Sequence, residues 1–359
     1  MWSKRSIVVS IVVLIFCLNI LRVNALSPSF SKIQSYGSIK SNITHFVVAL
    51  DGSGDFKDIQ SAIDAVPSSS KGIIEIKDGI YDLNPKIEYP FKAIVVKSNI
   101  TLRGMGIDRT IIRSFPTKQP AGSDIRYMSI TSEGDVRNLV IENLTIVQNG
   151  TPDNLGWGAI DLRGGKNENL VIRNVKVSDV TGAAIGIPRF KNVVLESCII
   201  ERAWTGITLH GGVNGLIKGN RIVNMTGDGI FPQTLESKGA SVVDLMIEDN
   251  YVENTGDCGI DITSATGFPP HERITAQRNV LKNAIIRVSH AQHINIVKNI
   301  IEDGFITVDC GQGRPIDIAV DGNNIRSSHS VGIGFYGAQD CRAINNEVTM
   351  IPSIEPVQS

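Results

Sequence analysis

Several things are scarce in this chain, and each shortage removes a class of protein. Aromatic residues make up 6% of the 359 residues, while glycine is abundant and Ile and Val dominate the apolar set, a balance that favours strands joined by tight turns over stacked helices. The formal net charge is only -1, so there is no basic field to attract nucleic acid, and an acidic glycan would need a local cationic patch. After Cys17, the cysteines Cys198, Cys258, Cys310 and Cys341 include no C-x-x-C pair, which removes dithiol redox and zinc-knuckle chemistry and leaves core or isolated thiols. Long apolar runs are missing except at the start, where Lys4 and Arg5 precede the stretch Ile7 to Ile20 and Val23-Asn24-Ala25 follows it. That order reads as a cleaved export signal over residues 1–25, and the run is shorter than the span of about 20 residues a membrane helix needs. An uncleaved N-terminal anchor is the alternative. Four Asn-x-Thr acceptor patterns, at Asn42, Asn99, Asn149 and Asn224, fit an exported chain.

What the sequence does contain is a repeat. From about residue 138, alternating apolar residues run into an Asn and resume with an aliphatic: Leu139-Val140-Ile141-Glu142-Asn143-Leu144, Leu170-Val171-Ile172-Arg173-Asn174-Val175, Leu245-Met246-Ile247-Glu248-Asp249-Asn250. The same slot recurs at Asn220, Asn279, Asn299, Asn324 and Asn346, at intervals of roughly 20 to 31 residues, the length of one solenoid coil. A second burst follows a glycine, as in Gly206-Ile207-Thr208-Leu209-His210, Gly259-Ile260-Asp261-Ile262 and Gly332-Ile333-Gly334-Phe335. Alternation with period two puts one face inward and one outward. The Asn suits a sharp left-handed bend between strands, and stacked copies would hydrogen-bond along the axis, so the Asn column reads as structural.

These features predict an all-β fold, a right-handed parallel β-helix over residues 46–350, after a linker at 26–45 and before an irregular tail at 351–359. A leucine-rich repeat fits less well, because Ile and Val outnumber Leu in the slots and each unit carries a second β burst. Near the start, Phe56, Ile59, Ala62, Ile63 and Val66 share one helical face that Pro67 ends, which predicts an amphipathic helix capping the first coil.

Asp51-Gly52-Ser53-Gly54-Asp55-Phe56-Lys57-Asp58-Ile59-Gln60-Ser61-Ala62-Ile63-Asp64-Ala65-Val66-Pro67, with Gly79-Ile80-Tyr81 and Ile100-Thr101-Leu102-Arg103-Gly104, resembles the opening of pectin methylesterases. The wider likeness is to the pectin lyase-like superfamily of polysaccharide enzymes, and it implies the β-helix fold. The esterase's catalytic segments do not follow: Gly313-Arg314-Pro315 echoes one of them, with Ile316 where the family has Trp, so ester hydrolysis is not expected. Thr226-Gly227-Asp228-Gly229-Ile230 and Asn254-Thr255-Gly256-Asp257-Cys258-Gly259-Ile260-Asp261-Ile262 are loosely similar to polygalacturonase motifs, with Cys258 in the place of an Asp. The Gly-Asp pairs are equally good turn chemistry.

Stacking the second bursts aligns two outward columns. One runs Asp161, Gly186, Thr208, Phe231, Asp261, Arg287, Thr307, Gly334; the other runs Arg163, Pro188, His210, Gln233, Thr263, Ser289, Asp309, Tyr336. Asp228 and Asp257 lie at the turns leading in. Candidate catalytic residues are therefore Asp228, Asp257, Asp261, Arg287 and His210, with Arg163, Phe231, Gln233, Asp309 and Tyr336 as candidate substrate contacts. Arg can grip a sugar carboxylate bidentately. Two carboxyl groups serve hydrolysis, one as acid and one as base or nucleophile. Elimination would use Arg287 or His210, with calcium held by Asp261 and Asp309. Against these stands a structural reading in which Asp261 and Arg287 form an exposed cross-strand ion pair and His210 is simply solvated. The expected partner is an extracellular acidic polysaccharide of the pectin or polygalacturonate kind, with hydrolase ahead of lyase. A catalytically silent, secreted glycan-binding or surface module is the competing reading.

Overall fold

The structure is a computed structural model that describes residues 42–83, 92–115, 127–149, 156–234 and 240–352. The expected export signal, Cys17, most of the linker and nearly all of the C-terminal tail lie outside the described residues.

Every strand pairing in the register is parallel, as a solenoid requires, and each residue pairs with one a coil away, which in the later coils is three strands on in sequence. A coil holds three strands where the sequence showed two bursts. The Asn-containing burst is bent in two: Val242–Glu248 turns at Asp249-Asn250 and continues as Tyr251–Thr255, and Ile260–Thr263 completes the coil. Each of these lies on its counterpart in the next coil, His271–Gln277, Val280–Lys282 and Ile286–Ser289. In the middle of the solenoid some bends are so gentle that strand pairing persists through them, as across Asn167–Glu196 and Ile199–Lys218. Right-handed crossover is the hand that twisted strands adopt when returning to a parallel neighbour.

The core is the set of inward positions. Ile247, Ala276, Ile296 and Val320 stack in one column, and Val252, Leu281, Ile301 and Ile325 in another, all fully buried. Burying one such side chain is worth about 1.5–3 kcal/mol, and because each contact is with the adjacent coil, stability is built coil by coil. Outside, opposite charges alternate along the axis: Glu142 is buried between Arg103, at 2.5 Å, and Arg173, at 2.6 Å. Burial alone would raise the Glu142 carboxyl, and the two guanidinium hydrogen bonds hold it low instead.

The bends explain the asparagines. Asn220, Asn250, Asn279, Asn299, Asn323 and Asn346 form one ladder, each Nδ2 donating to the next Oδ1 at 2.9–3.0 Å. Each Oδ1 also accepts a backbone N–H from the previous coil, the first being that of Cys198 at 2.9 Å. Two details differ from the sequence reading. The member in the fifth slot is Asn323, not Asn324, and the left-handed residue is the one before the ladder Asn, such as Gly219, Asp249, Arg278 or Lys298. Asn143 and Asn174 belong to a separate exposed pair, bonded at 2.7 Å, and both are left-handed themselves. A third ladder, Asn99, Asn138, Asn169, Asn192 and Asn214, also runs along the surface in left-handed conformation. Two of the acceptor-pattern residues are engaged in this way: Asn99 in that third ladder, and Asn224, whose Oδ1 accepts from Asn254 Nδ2 at 3.1 Å.

The expected cap is present and shorter than the sequence pattern. The helix spans Ile59–Ala65, with Asp58 as N-cap accepting from the Ser61 N–H at 2.8 Å, and it buries Ile59, Ala62 and Ile63. Phe56 falls before it and packs edge-on against Phe46, centroids 5.0 Å apart. On the coil at the other end, Ile344, Val348 and Met350 stand exposed.

Candidate functional site

The register reproduces long stretches of both outward columns that the period-two reading expected, and Ile230–Ile260 is the residue pairing that joins the coil of Phe231 to that of Asp261. Asp161 pairs with Gly186, Gly186 with Thr208, Thr208 with Phe231, Asp261 with Arg287, and Arg287 with Thr307. Pro188 pairs with His210, His210 with Gln233, Thr263 with Ser289, Ser289 with Asp309, and Asp309 with Tyr336. The glycine before Ile207, Ile230 and Ile260 has a steric cause. A Cβ on Gly206 would sit 2.4 Å from the Gly229 carbonyl oxygen, and one on Gly229 would sit 2.6 Å from that of Gly259. The turns carrying the acids are therefore pressed together: Gly229 N–H donates to Cys258 O at 2.9 Å, and Cys258 N–H donates to the Asp228 carboxylate at 3.0 Å.

That compression gathers acids. Donor atoms of Asp228, Asp257 and Cys258 all lie within 4.8 Å of one another. Asp228 is 8% exposed and Asp261 is 5% exposed, whereas Asp257 is exposed at the edge. Burial pushes the Asp228 carboxyl up to about 6, with the Asp257 charge adding to it and the Cys258 N–H opposing it. Burial likewise pushes Asp261 up to about 7; the Thr263 hydroxyl donates to it and opposes the rise, while Asp228 adds to it. Two carboxyl groups thus titrate near neutral pH side by side, a condition in which one holds a proton while another is ionised. The Cys258 thiol, wholly buried among them and donating to Asp257 at 3.5 Å, is pushed far up by burial and by the acids. It is held as a thiol, not a nucleophile. The three-residue cluster offers two hard oxygens and one soft sulfur, a poor match to an all-oxygen calcium site.

The two arginines have other partners than expected. Arg287 does not pair with Asp261; it grips Asp309, Nε at 2.9 Å and Nη2 at 3.2 Å. Burial would raise Asp309, and Arg287 together with the Gly311 N–H holds it low. The exposed Asp261–Arg287 pair of the structural reading is therefore absent, and the Asp309 expected to join Asp261 on a calcium ion is engaged by Arg287 instead. Arg163 Nε donates to both oxygens of buried Asp161, at 2.8 and 2.7 Å. His210 is half-buried rather than fully solvated, and it borders a cavity of about 450 Å³ that Arg163, Asp228, Phe231 and Gln233 also line. Burial, then Arg163, pushes its imidazole down to about 4, which keeps it neutral at physiological pH. Tyr336 stands exposed at the far end of its column, four coils beyond Gln233, and lines no part of that cavity.

Sequence reasoning missed Trp204, which is 53% exposed and lines the same cavity. Its carbonyl accepts the Gly227 N–H at 2.7 Å, and the Gly227 carbonyl accepts the Asp257 N–H at 3.3 Å. Trp204, Gly227 and Asp257 are thus one turn column, and aligning the turns as well as the strands would have exposed it.

Residues 130–301 match the family described as right handed beta helix region, and residues 45–178 match the pectinesterase family. The chain is 38% identical over 104 residues to a probable pectinesterase/pectinesterase inhibitor 17 of Arabidopsis thaliana, covering 29% of this chain and 18% of that protein. It is 32% identical over 131 residues to pectinesterase 2 of Citrus sinensis, covering 36% of this chain and 23% of that protein. The chain therefore spans less than a quarter of the length of these relatives, and the pectinesterase family match ends at residue 178, before His210 and the three carboxylates. Among solved structures it is similar to the mannuronan C-5 epimerase AlgE4 A-module of Azotobacter vinelandii, with TM-score 0.58, 18% identity, and coverage of 82% of this chain and 91% of that one. The exopolygalacturonase of Thermotoga maritima follows at TM-score 0.54 and 12% identity, covering 80% of this chain and 86% of that one. PfbA, a surface adhesin of Streptococcus pneumoniae, matches at TM-score 0.53 and 14% identity, covering 80% and 85%. At these identities the structural likenesses establish the fold.

Proposed function

Because the chain is a right-handed parallel β-helix of the pectin lyase-like kind, we propose that it is a secreted enzyme that cleaves a pectin-type acidic polysaccharide by glycoside hydrolysis. The observation that carries this reading is the cluster of Asp228, Asp257 and Asp261 on the groove face, in which burial keeps two carboxyl groups protonated up to about pH 6 and 7. In this reading Asp228, which lines the cavity, protonates the leaving oxygen. Asp257, whose carboxylate oxygen lies within 4.8 Å of that of Asp228, attacks the sugar carbon as nucleophile, since a base that activates water stands about 6.5–9.5 Å from the acid. The Asp257 charge adds to the burial that holds the proton on Asp228, and Asp228 in turn adds to the burial that holds one on Asp261. Ester hydrolysis is set aside because the segments that carry it in pectin methylesterases are missing, although the curated relatives bear that name.

A second reading has its own observation. Cys258 occupies a place in the cluster where a carboxylate would serve, which favours a β-helix that holds glycan without cutting it. Incubation with polygalacturonate, pectin and alginate, with and without calcium, separates these. New reducing ends are expected, and their loss in Asp228→Asn would tie them to the cluster. Unsaturated chain ends, seen as ultraviolet absorbance, would replace hydrolysis by elimination, and retained binding without cleavage would establish the silent module.

A further inference from the structure

The groove beside the acids is divided, and its two parts differ in chemistry. The cavity of about 450 Å³ has small residues at Gly182, Ala183 and Thr208, with Trp204 at its rim and the half-buried Phe231 facing it. An exposed indole in a chain so poor in aromatics offers an apolar face to a ring. The one permanent cation among the described lining residues, Arg163, is committed to Asp161, and the imidazole there is neutral. An incoming carboxylate would meet Asp228 and no available positive charge, so a desolvated anion is disfavoured. Past His210 lies a smaller cavity of about 230 Å³, lined by Arg163, Pro188, Arg189 and His210. There Arg189 donates only to backbone carbonyls, of Gly165 at 2.9 Å and Arg163 at 2.6 Å, and these leave its charge uncancelled among the described residues.

We propose that the groove reads a pattern along the glycan: an uncharged sugar ring over Trp204 and Phe231, next to a ring whose carboxylate faces Arg189. This rests on the reading of the groove as a glycan site and narrows the substrate to a chain in which masked and free acids adjoin. The uncharged ring can be a methyl-esterified uronate or a neutral sugar. His210, between the two cavities, marks the boundary.

The test compares fully de-esterified, partly esterified and fully esterified galacturonan, and a polymer alternating uronate with neutral sugar. Binding is measured by affinity electrophoresis with Asp257→Asn, which leaves Asp228 in the cavity, so that the result does not depend on cleavage. The partly esterified or the alternating polymer is expected to bind best, and whichever leads identifies the uncharged ring. Trp204→Ala is expected to lower that binding about tenfold, the scale of one lost aromatic contact, with Trp204→Phe restoring most of it. Arg189→Gln is expected to remove the preference over the fully esterified polymer, with an unchanged melting temperature as the folding control. Equal or tighter binding of the fully de-esterified polymer, an equal loss on every polymer in Trp204→Ala, or no binding to any polymer would overturn the proposal. Preserved binding order without cleavage by the unmodified protein would instead sink only the hydrolase reading.

Discussion

Along the bend, Asn220, Asn250, Asn279, Asn299 and Asn323 are almost wholly buried, and each amide donates to the next, while its oxygen accepts a backbone N–H from the coil before. On the groove face Asp228 and Asp261 are buried nearly as deeply, yet they crowd like charges and a thiol into one place. Both columns arise from the same coil-on-coil stacking. The first uses it to satisfy every polar group, which adds stability; the second uses it to keep acids protonated at a pH where exposed acids are not, which costs stability and confers reactivity. A polar column in a solenoid is therefore sorted by whether its members complement one another.

That contrast can be broken from either side. The largest effect is expected from Asp228→Asn, which keeps an oxygen for the Cys258 N–H and removes the proton donor: turnover on the cleaved polymer should fall on the order of 10²- to 10⁴-fold with no loss of melting temperature. Unchanged turnover would move the chemistry off this cluster. Next is Asn279→Ala, which strands the Ile247 carbonyl and both donors of Asn250. It should cost about 3 to 5 kcal/mol in urea unfolding.

Asp261→Asn should act in the opposite direction. The folded carboxyl titrates near 7 against 3.8 for the free group, so the folded state binds the proton more tightly. Ionisation then erodes stability as pH rises from about 4 through 7. The substitution should stabilise the protein on the order of 3 kcal/mol above pH 7 and by nothing below about pH 4. A gain independent of pH would show that the Asp261 charge is not the cause. The smallest effect is expected from Asn138→Gly in the exposed ladder, which keeps the left-handed backbone and loses a solvated amide contact; melting should shift by less than about 0.5 kcal/mol. A cost equal to that of Asn279→Ala would erase the distinction between buried and surface ladders.

Much of the groove was legible because period-two alternation is a local property. Once Gly259-Ile260-Asp261-Ile262 is seen to repeat, the pairing of Asp261 with Arg287 in register follows. The partner of Arg287 did not follow, since a guanidinium reaches either neighbouring coil, and Asp309 is the carboxylate that meets it bidentately. The bend was misread by one residue at Asn323 because Asn323 and Asn324 are adjacent and only the buried one can join the ladder. Trp204 escaped notice because the turns vary in sequence more than the strands do.

By itself the sequence determined the coil, the parallel stacking, the two outward columns and the capping helix, since each depends on spacing and on inward aliphatics that must be buried whatever surrounds them. Only the tertiary structure decided which charges cancel, how deeply Asp228 and Asp261 lie, and that Trp204 and His210 share a cavity. Burial and charge pairing are set by every neighbour within a few ångströms, and those neighbours come from coils 20 or more residues away.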